Sequence, residues 1–94
     1  MEKGMMIIKA DGSEKFVPSA KRPELEVLQK AVDGYIEYTK CVYKGKKRSM
    51  IVNEEGAINP GFEFNKHATL LFWAAFPFQG AHIYGTAIIL IGYR

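Results

Sequence analysis

Apolar positions near the N-terminus predict a β-hairpin followed by a helix. Met5–Ala10 is a short apolar segment, Asp11-Gly12 is a strong two-residue turn signal, and Glu14–Val17 resumes with strand-forming residues. In Pro23–Asp33 the apolar residues instead recur at steps of three and four, which is the period of an amphipathic helix. Proline is tolerated in a first helical turn, and Gly34 is the expected residue just beyond the C-terminus.

The middle of the chain predicts a second hairpin. Tyr35–Tyr43 and Arg48–Asn53 are rich in β-branched and aromatic residues, and the turn Lys44-Gly45-Lys46 separates them. Alternation does not decide which face of the first of these strands packs on the helices, because neither face is cleanly apolar. One face carries Tyr35, Glu37, Thr39, Cys41 and Tyr43, and the other carries Ile36, Tyr38, Lys40 and Val42.

A second helix and a final strand complete the predicted elements. Asn65 stands at an N-cap position, helical spacing of apolar residues follows it, and Pro77 ends the pattern. This helix is apolar nearly all round, so we expect it to be deeply buried or to form a subunit interface. The β-branched run between Gly85 and Gly92 predicts a fully buried strand in the middle of the sheet.

These elements predict one α+β domain spanning residues 1–94, with a mixed or antiparallel sheet of about five strands and two helices. The chain of 94 residues and 10.6 kDa is large enough for one hydrophobic core and too small for two domains. Its 48% hydrophobic and 24% charged residues are ordinary for a globular protein. A core of this modest size favours association, and we expect a homo-oligomer.

Composition also narrows the cellular setting. The lone cysteine, Cys41, excludes an internal disulfide and a CxxC redox pair, which favours a reducing compartment. No charged residue occurs from His67 to Tyr93, but proline, glycine and polar residues divide this run into pieces too short to cross a bilayer. The N-terminus lacks the apolar core of a signal peptide. We therefore expect a cytoplasmic protein without a membrane span.

Several segments resemble one known family. The segments, in chain order, are Leu28–Glu37 with its Gly-Tyr-Ile-Glu ending, Ile51–Gly56 with Val-Asn-Glu-Glu-Gly, Asn65 before a helix, and Ile83–Leu90. Together they resemble a family of small uncharacterised proteins of phages, plasmids and bacterial mobile elements. Thr86 departs from that family, which tends to have Asp there, and Phe62-Glu63-Phe64 replaces a proline-containing stretch. The resemblance implies a viral or mobile-element origin, and hence the host cytoplasm, rather than a particular chemistry.

Polar residues between the fourth strand and the second helix form the predicted ligand site. We expect the strand end and the helix start to face one cavity, where an unpaired helix N-terminus would bind an anion. The simpler interpretations are a solvated corner for the acidic pair and a helix cap for the second asparagine. The predicted ligand-binding residues are Asn53, Glu54, Glu55, Asn59, Asn65, Lys66 and His67.

A basic cluster at the hairpin turn is the alternative site, for nucleic acid. Positive charge beside an aromatic residue suits a phosphate backbone, although a solvated turn explains the same residues. The cluster consists of Lys44, Lys46, Lys47 and Arg48. The two histidines, His67 and His82, lack the spacing of a catalytic triad or a zinc site, so we predict no metal, no cofactor and no catalytic residue.

Three functions remain open from the sequence. The first is a non-enzymatic accessory protein that binds or sequesters a small anionic or nucleotide-like ligand, in a counter-defence role. This hypothesis depends on the polar residues between the fourth strand and the second helix, and on the net charge of +3 with a pI near 9.0. The second is an inhibitor of a host protein, which depends on the aromatic content. The third is a nucleic-acid binder. An enzyme is the least favoured, because no set of residues supplies nucleophile, base and oxyanion donor.

Overall fold

A computed structural model of the chain describes residues 2–77 and 80–93. Within these residues it contains five strands and two helices, as the sequence pattern predicts. The elements are β1 (Gly4–Ile8), β2 (Glu14–Pro18), α1 (Leu25–Val32), β3 (Ile36–Tyr43), β4 (Lys46–Asn53), α2 (Lys66–Ala75) and β5 (Ala87–Ile91). The predicted α+β class is confirmed.

The strands form one sheet in the order β2-β1-β5-β4-β3, and every pairing is antiparallel. Of the two alternatives for the sheet, the antiparallel one is therefore the observed one. The apolar strand β5 lies in the centre, with Ile8 of β1 opposite Ala87 and Ile51 of β4 opposite Ile88. Its central place confirms the prediction from its β-branched composition, because a strand buried on both faces needs no polar alternation.

The two helices cover opposite faces of this sheet. Ile88 packs with Leu28 and Val32 of α1, whereas Ile89 packs with Ala68 of α2. Neighbouring residues of β5 thus enter different cores, as the period of two in a strand requires. The same alternation answers the question left open for β3, since its odd-numbered residues, including the fully buried Cys41, face α2.

Helix α1 is shorter than predicted at both ends. Glu24 is extended, with φ −74° and ψ 159°, so Pro23 precedes the helix rather than lying in its first turn. At the other end Asp33, not Gly34, takes the left-handed conformation with φ 61°. The Gly34 amide then donates to Gln29 O at 3.0 Å, which satisfies a terminal carbonyl in the manner of a Schellman motif.

Helix α2 begins where the sequence places it, and its predicted N-cap Asn65 is confirmed. The expectation that this helix is deeply buried is wrong for its outer side. Ala68 and Thr69 are buried, but the side chain of Leu70 is 51% exposed. Because α1 covers the other face of the sheet, α2 contacts a core along one side only, and its outer apolar residues remain at the surface.

The turn between β3 and β4 is tighter than predicted. Lys44 and Gly45 have φ angles of 51° and 77°, which is the pattern of a two-residue type I′ turn. Tyr43 therefore pairs directly with Lys46, and β4 begins at Lys46 rather than Arg48. Three of the four basic residues of the turn cluster thus lie at the start of a strand, which fixes the face on which each lies.

Candidate functional site

Asn53 ends β4 and connects it to the C-terminus of α1. Its side-chain amide donates to the carbonyls of Val32 and Asp33 at 3.0 and 3.1 Å. Its side-chain oxygen accepts from the Glu55 amide at 2.7 Å, and the residue is 7% exposed. The amide and its oxygen thus already bond to the protein. In this geometry Asn53 joins a helix end to a strand end.

The acidic pair and Asn59 lie in the turn that follows β4. Glu54 and Glu55 are both exposed, and the Glu54 amide donates to Tyr35 O at 2.9 Å. Asn59 accepts from the Gly61 amide at 2.9 Å, which closes a local turn of the kind that asparagine favours. These contacts organise the backbone of the turn and leave the two carboxylates in solvent.

The side chain of Asn65, like that of Asn53, makes three hydrogen bonds to the backbone. Its side-chain oxygen accepts from the Ala68 amide at 3.0 Å, which caps α2. Its side-chain nitrogen donates to Ile8 O at 3.0 Å, at the end of β1, and to Gly85 O at 2.8 Å, two residues before the start of β5. Since the residue is fully buried, this asparagine connects a helix start to the sheet.

His67 at the start of α2 contacts an acidic residue from the far edge of the sheet. Its Nε2 lies 2.6 Å from a carboxylate oxygen of Glu14, and the Tyr43 hydroxyl donates to the other oxygen at 3.0 Å. Burial raises the pKa of Glu14, but the hydrogen bonds from His67 and Tyr43, with the charges of His67 and Lys44, outweigh it and hold that pKa below its usual 4.5. A carboxylate therefore already lies beside this helix start, where an anionic ligand was predicted.

The structure distributes the predicted residues over two clefts. Asn53 and Glu54 line a cleft of about 210 Å³ together with Phe72 and the segment 81–84. Lys66 and His67 line another, of about 400 Å³, beside the turn between β1 and β2. The end of β4 and the start of α2 therefore line two different clefts and not the single cavity that we expected. Ligand binding by the seven residues stays a prediction.

A third depression is lined by five basic side chains from β3, β4 and the loop before α1, together with Leu90, Gly92 and Tyr93. This basic groove has a volume of about 550 Å³, and none of the described residues that line it is acidic. Ser49 also lines it, and the Lys40 ammonium donates to the Ser49 hydroxyl at 3.2 Å. Its basic residues are Arg22, Lys40, Lys46, Lys47 and Arg48.

The basic groove includes three of the four predicted basic residues and adds two that the sequence reasoning missed. Lys40 and Lys47 lie on the same side of the sheet as Ile36 and Ile51, because they are an even number of residues from them. That alternation was a signal available in the sequence for Lys40. Arg22 reaches the groove from the loop before α1, with its guanidinium 5.9 Å from the Tyr38 ring, and only the tertiary structure reveals it.

The remaining basic residue of the turn cluster has a different environment. The ammonium of Lys44 lies 5.6 Å from the centre of the Tyr43 ring, a distance at which a cation and an aromatic face attract. Arg48 donates through Nε to Tyr43 O at 3.2 Å. Lys44 and Arg48 therefore both contact Tyr43 and stabilise the end of the hairpin, besides contributing positive charge. Lys46 and Lys47 are exposed beside them.

Aromatic side chains gather on the outer side of α2. Phe64 lies 5.5 Å from the His82 ring and Trp73 lies 5.3 Å from it on an edge-to-face geometry, while the Trp73 indole donates to Ala81 O at 2.6 Å. His82 is thus held among aromatic rings. Phe64 and Leu70 are exposed and leave apolar surface here. Binding to a host protein through this surface stays a prediction.

Residues 2–77 and 80–93 contain no group of three or more His, Cys, Asp or Glu side chains arranged to hold a metal ion. In the same residues neither helix is long and apolar enough to span a membrane. The thiol of Cys41 is free, and burial raises its pKa to about 11, so it is unsuited to act as a nucleophile.

Comparison with known proteins gives a family and no function. The profile of a domain of unknown function, DUF3846, matches residues 5–92, which is nearly the whole chain. No curated protein and no solved structure matches the chain.

Proposed function

The chain belongs to the DUF3846 family, a domain of unknown function, and we propose that it binds a small anionic, nucleotide-like ligand in the basic groove without catalysing a reaction. The main support for this proposal is the set of basic side chains around one depression of about 550 Å³, a volume typical of ligand sites. A phosphate group there would receive hydrogen bonds from Lys40 and Lys47. Tyr38, which is 52% exposed beside Arg22, offers a ring for a base.

The basic groove suits an anion better than the start of α2 does. Around α2, the Asn65 side chain is already bonded to three backbone groups and Glu14 places a carboxylate against His67. In the groove, by contrast, the charges of the described lining residues all have one sign. Like charges gathered without acidic partners repel one another, and a bound anion relieves that repulsion.

We propose a counter-defence role for this binding. The resemblance to proteins of phages, plasmids and bacterial mobile elements supports an accessory protein that sequesters a nucleotide signal of a host defence system, in the host cytoplasm. Expression in cells that carry such a system should raise phage plating efficiency. A Lys40→Gln/Lys47→Gln variant should fail to do so, and equal protection by both proteins would count against sequestration in the groove.

Direct binding is the primary test. Calorimetric titration with mononucleotides, cyclic nucleotides and ADP-ribose should reveal a ligand, and Lys40→Gln/Lys47→Gln should weaken it about 10-fold to 100-fold, the effect of losing charge-assisted hydrogen bonds. The matched control is Lys15→Gln/Lys30→Gln, which removes the same charge from β2 and α1. No heat with any nucleotide, or an equal loss in both variants, would refute the site.

Nucleic acid is the second candidate, and the continuity of the groove with the hairpin end favours it. Lys46 and Lys47 are exposed on the turn side of the groove, so a phosphate backbone could pass from one to the other. Affinity for single-stranded DNA should then fall steeply with salt, and Lys46→Glu/Lys47→Glu should abolish it. Binding that this variant leaves intact would exclude the hairpin end as the contact.

A further inference from the structure

The two edges of the sheet are built differently. Strand β2 has only five residues and ends in Pro18, features that protect an edge from pairing with another strand. Strand β3 has eight residues, Ile36–Tyr43, without proline. Among the residues that the structure describes, none makes a main-chain hydrogen bond to the outer side of β3. A long unpaired edge of this kind is a template for a further strand.

The turn determines which groups of β3 point outward. Residues that flank a two-residue hairpin turn bond to each other, so Tyr43 bonds to Lys46 and every second residue before Tyr43 bonds to β4. The bond from the Glu54 amide to Tyr35 O agrees with this alternation. The backbone groups of the intervening residues face solvent. These are Ile36, Tyr38, Lys40 and Val42.

We propose that two copies of the chain pair through β3, antiparallel, with Thr39 on the two-fold axis. In this register Ile36 lies opposite Val42 and Tyr38 lies opposite Lys40. Both are outward-facing pairs, so each exchanges two main-chain hydrogen bonds with the partner strand. The side chains are complementary as well, with an apolar pair at each end and a cation beside an aromatic ring nearer the axis.

Neighbouring registers fit less well. Antiparallel partners share a face of the sheet, so the symmetric registers nearest to this one place Tyr38 or Lys40 on the axis. With Lys40 on the axis, two ammonium groups lie directly opposite, which is destabilising. With Tyr38 on the axis, Val42 would face Gly34, and the paired length shortens. Thr39 on the axis uses the strand from Ile36 to Val42.

Pairing through β3 also joins the two basic grooves. Lys40 faces the α1 side in both copies, so the grooves lie on one face of a continuous sheet. The pairing itself depends only on the edge of β3 and does not rest on the proposed ligand. Its test therefore uses the protein without any ligand.

Cysteine cross-linking tests the register. Residues on the axis form a close pair with Cα atoms about 4.5 Å apart, which a disulfide can span. With oxidised glutathione as the oxidant, Thr39→Cys should form a covalent dimer at least about 10-fold faster than Lys40→Cys. In the proposed register the Cα atoms of residue 40 in the two copies lie more than about 7 Å apart, too far for a disulfide. Ser13→Cys, exposed on the turn between β1 and β2, reports random collision. Equal rates for Thr39→Cys and either of the other two variants would overturn the proposal.

Sedimentation tests the pairing itself. The native chain should shift from monomer to dimer between about 10 µM and 1 mM, the range of a weak association. Tyr38→Pro removes an outward N–H that β4 does not use, so it should keep its circular dichroism and remain monomeric. A native chain that stays monomeric throughout, or a dimer unchanged by Tyr38→Pro, would overturn the proposal. If Tyr38→Pro does not fold, the Thr39→Cys rates decide.

Discussion

At the scale of single residues, two buried asparagines hold the helices to the sheet. Asn53 bonds to the C-terminal carbonyls of α1, and Asn65 caps α2 while bonding to the end of β1 and to the segment just before β5. An asparagine side chain can donate and accept at once, so one residue satisfies backbone groups from several elements. Polar residues that suggest a ligand site from the sequence can thus be part of the structural framework.

Asn65→Ala should reduce the free energy of unfolding by about 3–5 kcal/mol, because it removes the cap and leaves buried carbonyls of Ile8 and Gly85 without a donor. Asn65→Asp keeps an acceptor for the Ala68 amide but cannot donate, so its loss should be nearly as large. Urea denaturation measures both. Asn59→Ala, which breaks one exposed turn contact, is the control and should cost less than about 1 kcal/mol. A loss below 1 kcal/mol for Asn65→Ala would contradict the structural role.

At the scale of elements, the end of α1 shows how a local signal can shift by one residue. Gly34 marks a helix end in the sequence, but Asp33 adopts the left-handed conformation. Gly34 follows with φ 152°, and a Cβ there would lie 2.7 Å from the Asn53 side-chain nitrogen. Glycine is therefore required at 34 for space beside Asn53, while Asp33 accepts an unfavourable backbone angle.

Asp33→Gly should raise the stability of the fold by about 0.5–1 kcal/mol, since glycine adopts a left-handed conformation without the steric cost of a Cβ. Gly34→Ala should do the opposite, because its Cβ would displace Asn53 from the helix end. Thermal denaturation of the two variants measures both changes. Equal destabilisation by both substitutions would contradict the left-handed conformation of Asp33 as a source of strain.

At the scale of the whole molecule, a contact between side chains joins the two edge strands. Glu14 is on β2 and Tyr43 is on β3, yet the Tyr43 hydroxyl donates to the Glu14 carboxylate, which also meets His67 of α2. Strands at opposite edges of a flat sheet would be too far apart for this contact. The twist of the sheet around α2 brings these corners together.

The Glu14 contact should make stability fall with acid. The pKa of Glu14 is lowered in the folded protein, so its ionised form contributes stability above pH 4.5, and that contribution is lost as pH falls through the lower folded value. Glu14→Gln should therefore lose less stability than the native chain between pH 6 and pH 3, by about 0.5 kcal/mol, the scale of a partly exposed ion pair. Urea denaturation across that range measures it, with Glu26→Gln on α1 as control. Identical acid profiles for the native chain and Glu14→Gln would contradict the linkage.

The sequence alone determined the kinds of elements, their order and the central position of β5, because period-two alternation, helical spacing and turn residues are local consequences of backbone geometry. It also identified Asn65 as a cap. Only the tertiary structure decided that the helices lie on opposite faces and that Lys40, Lys47 and Arg22 meet in one groove. Those facts depend on strand order and register, which arise from contacts between residues far apart in the chain.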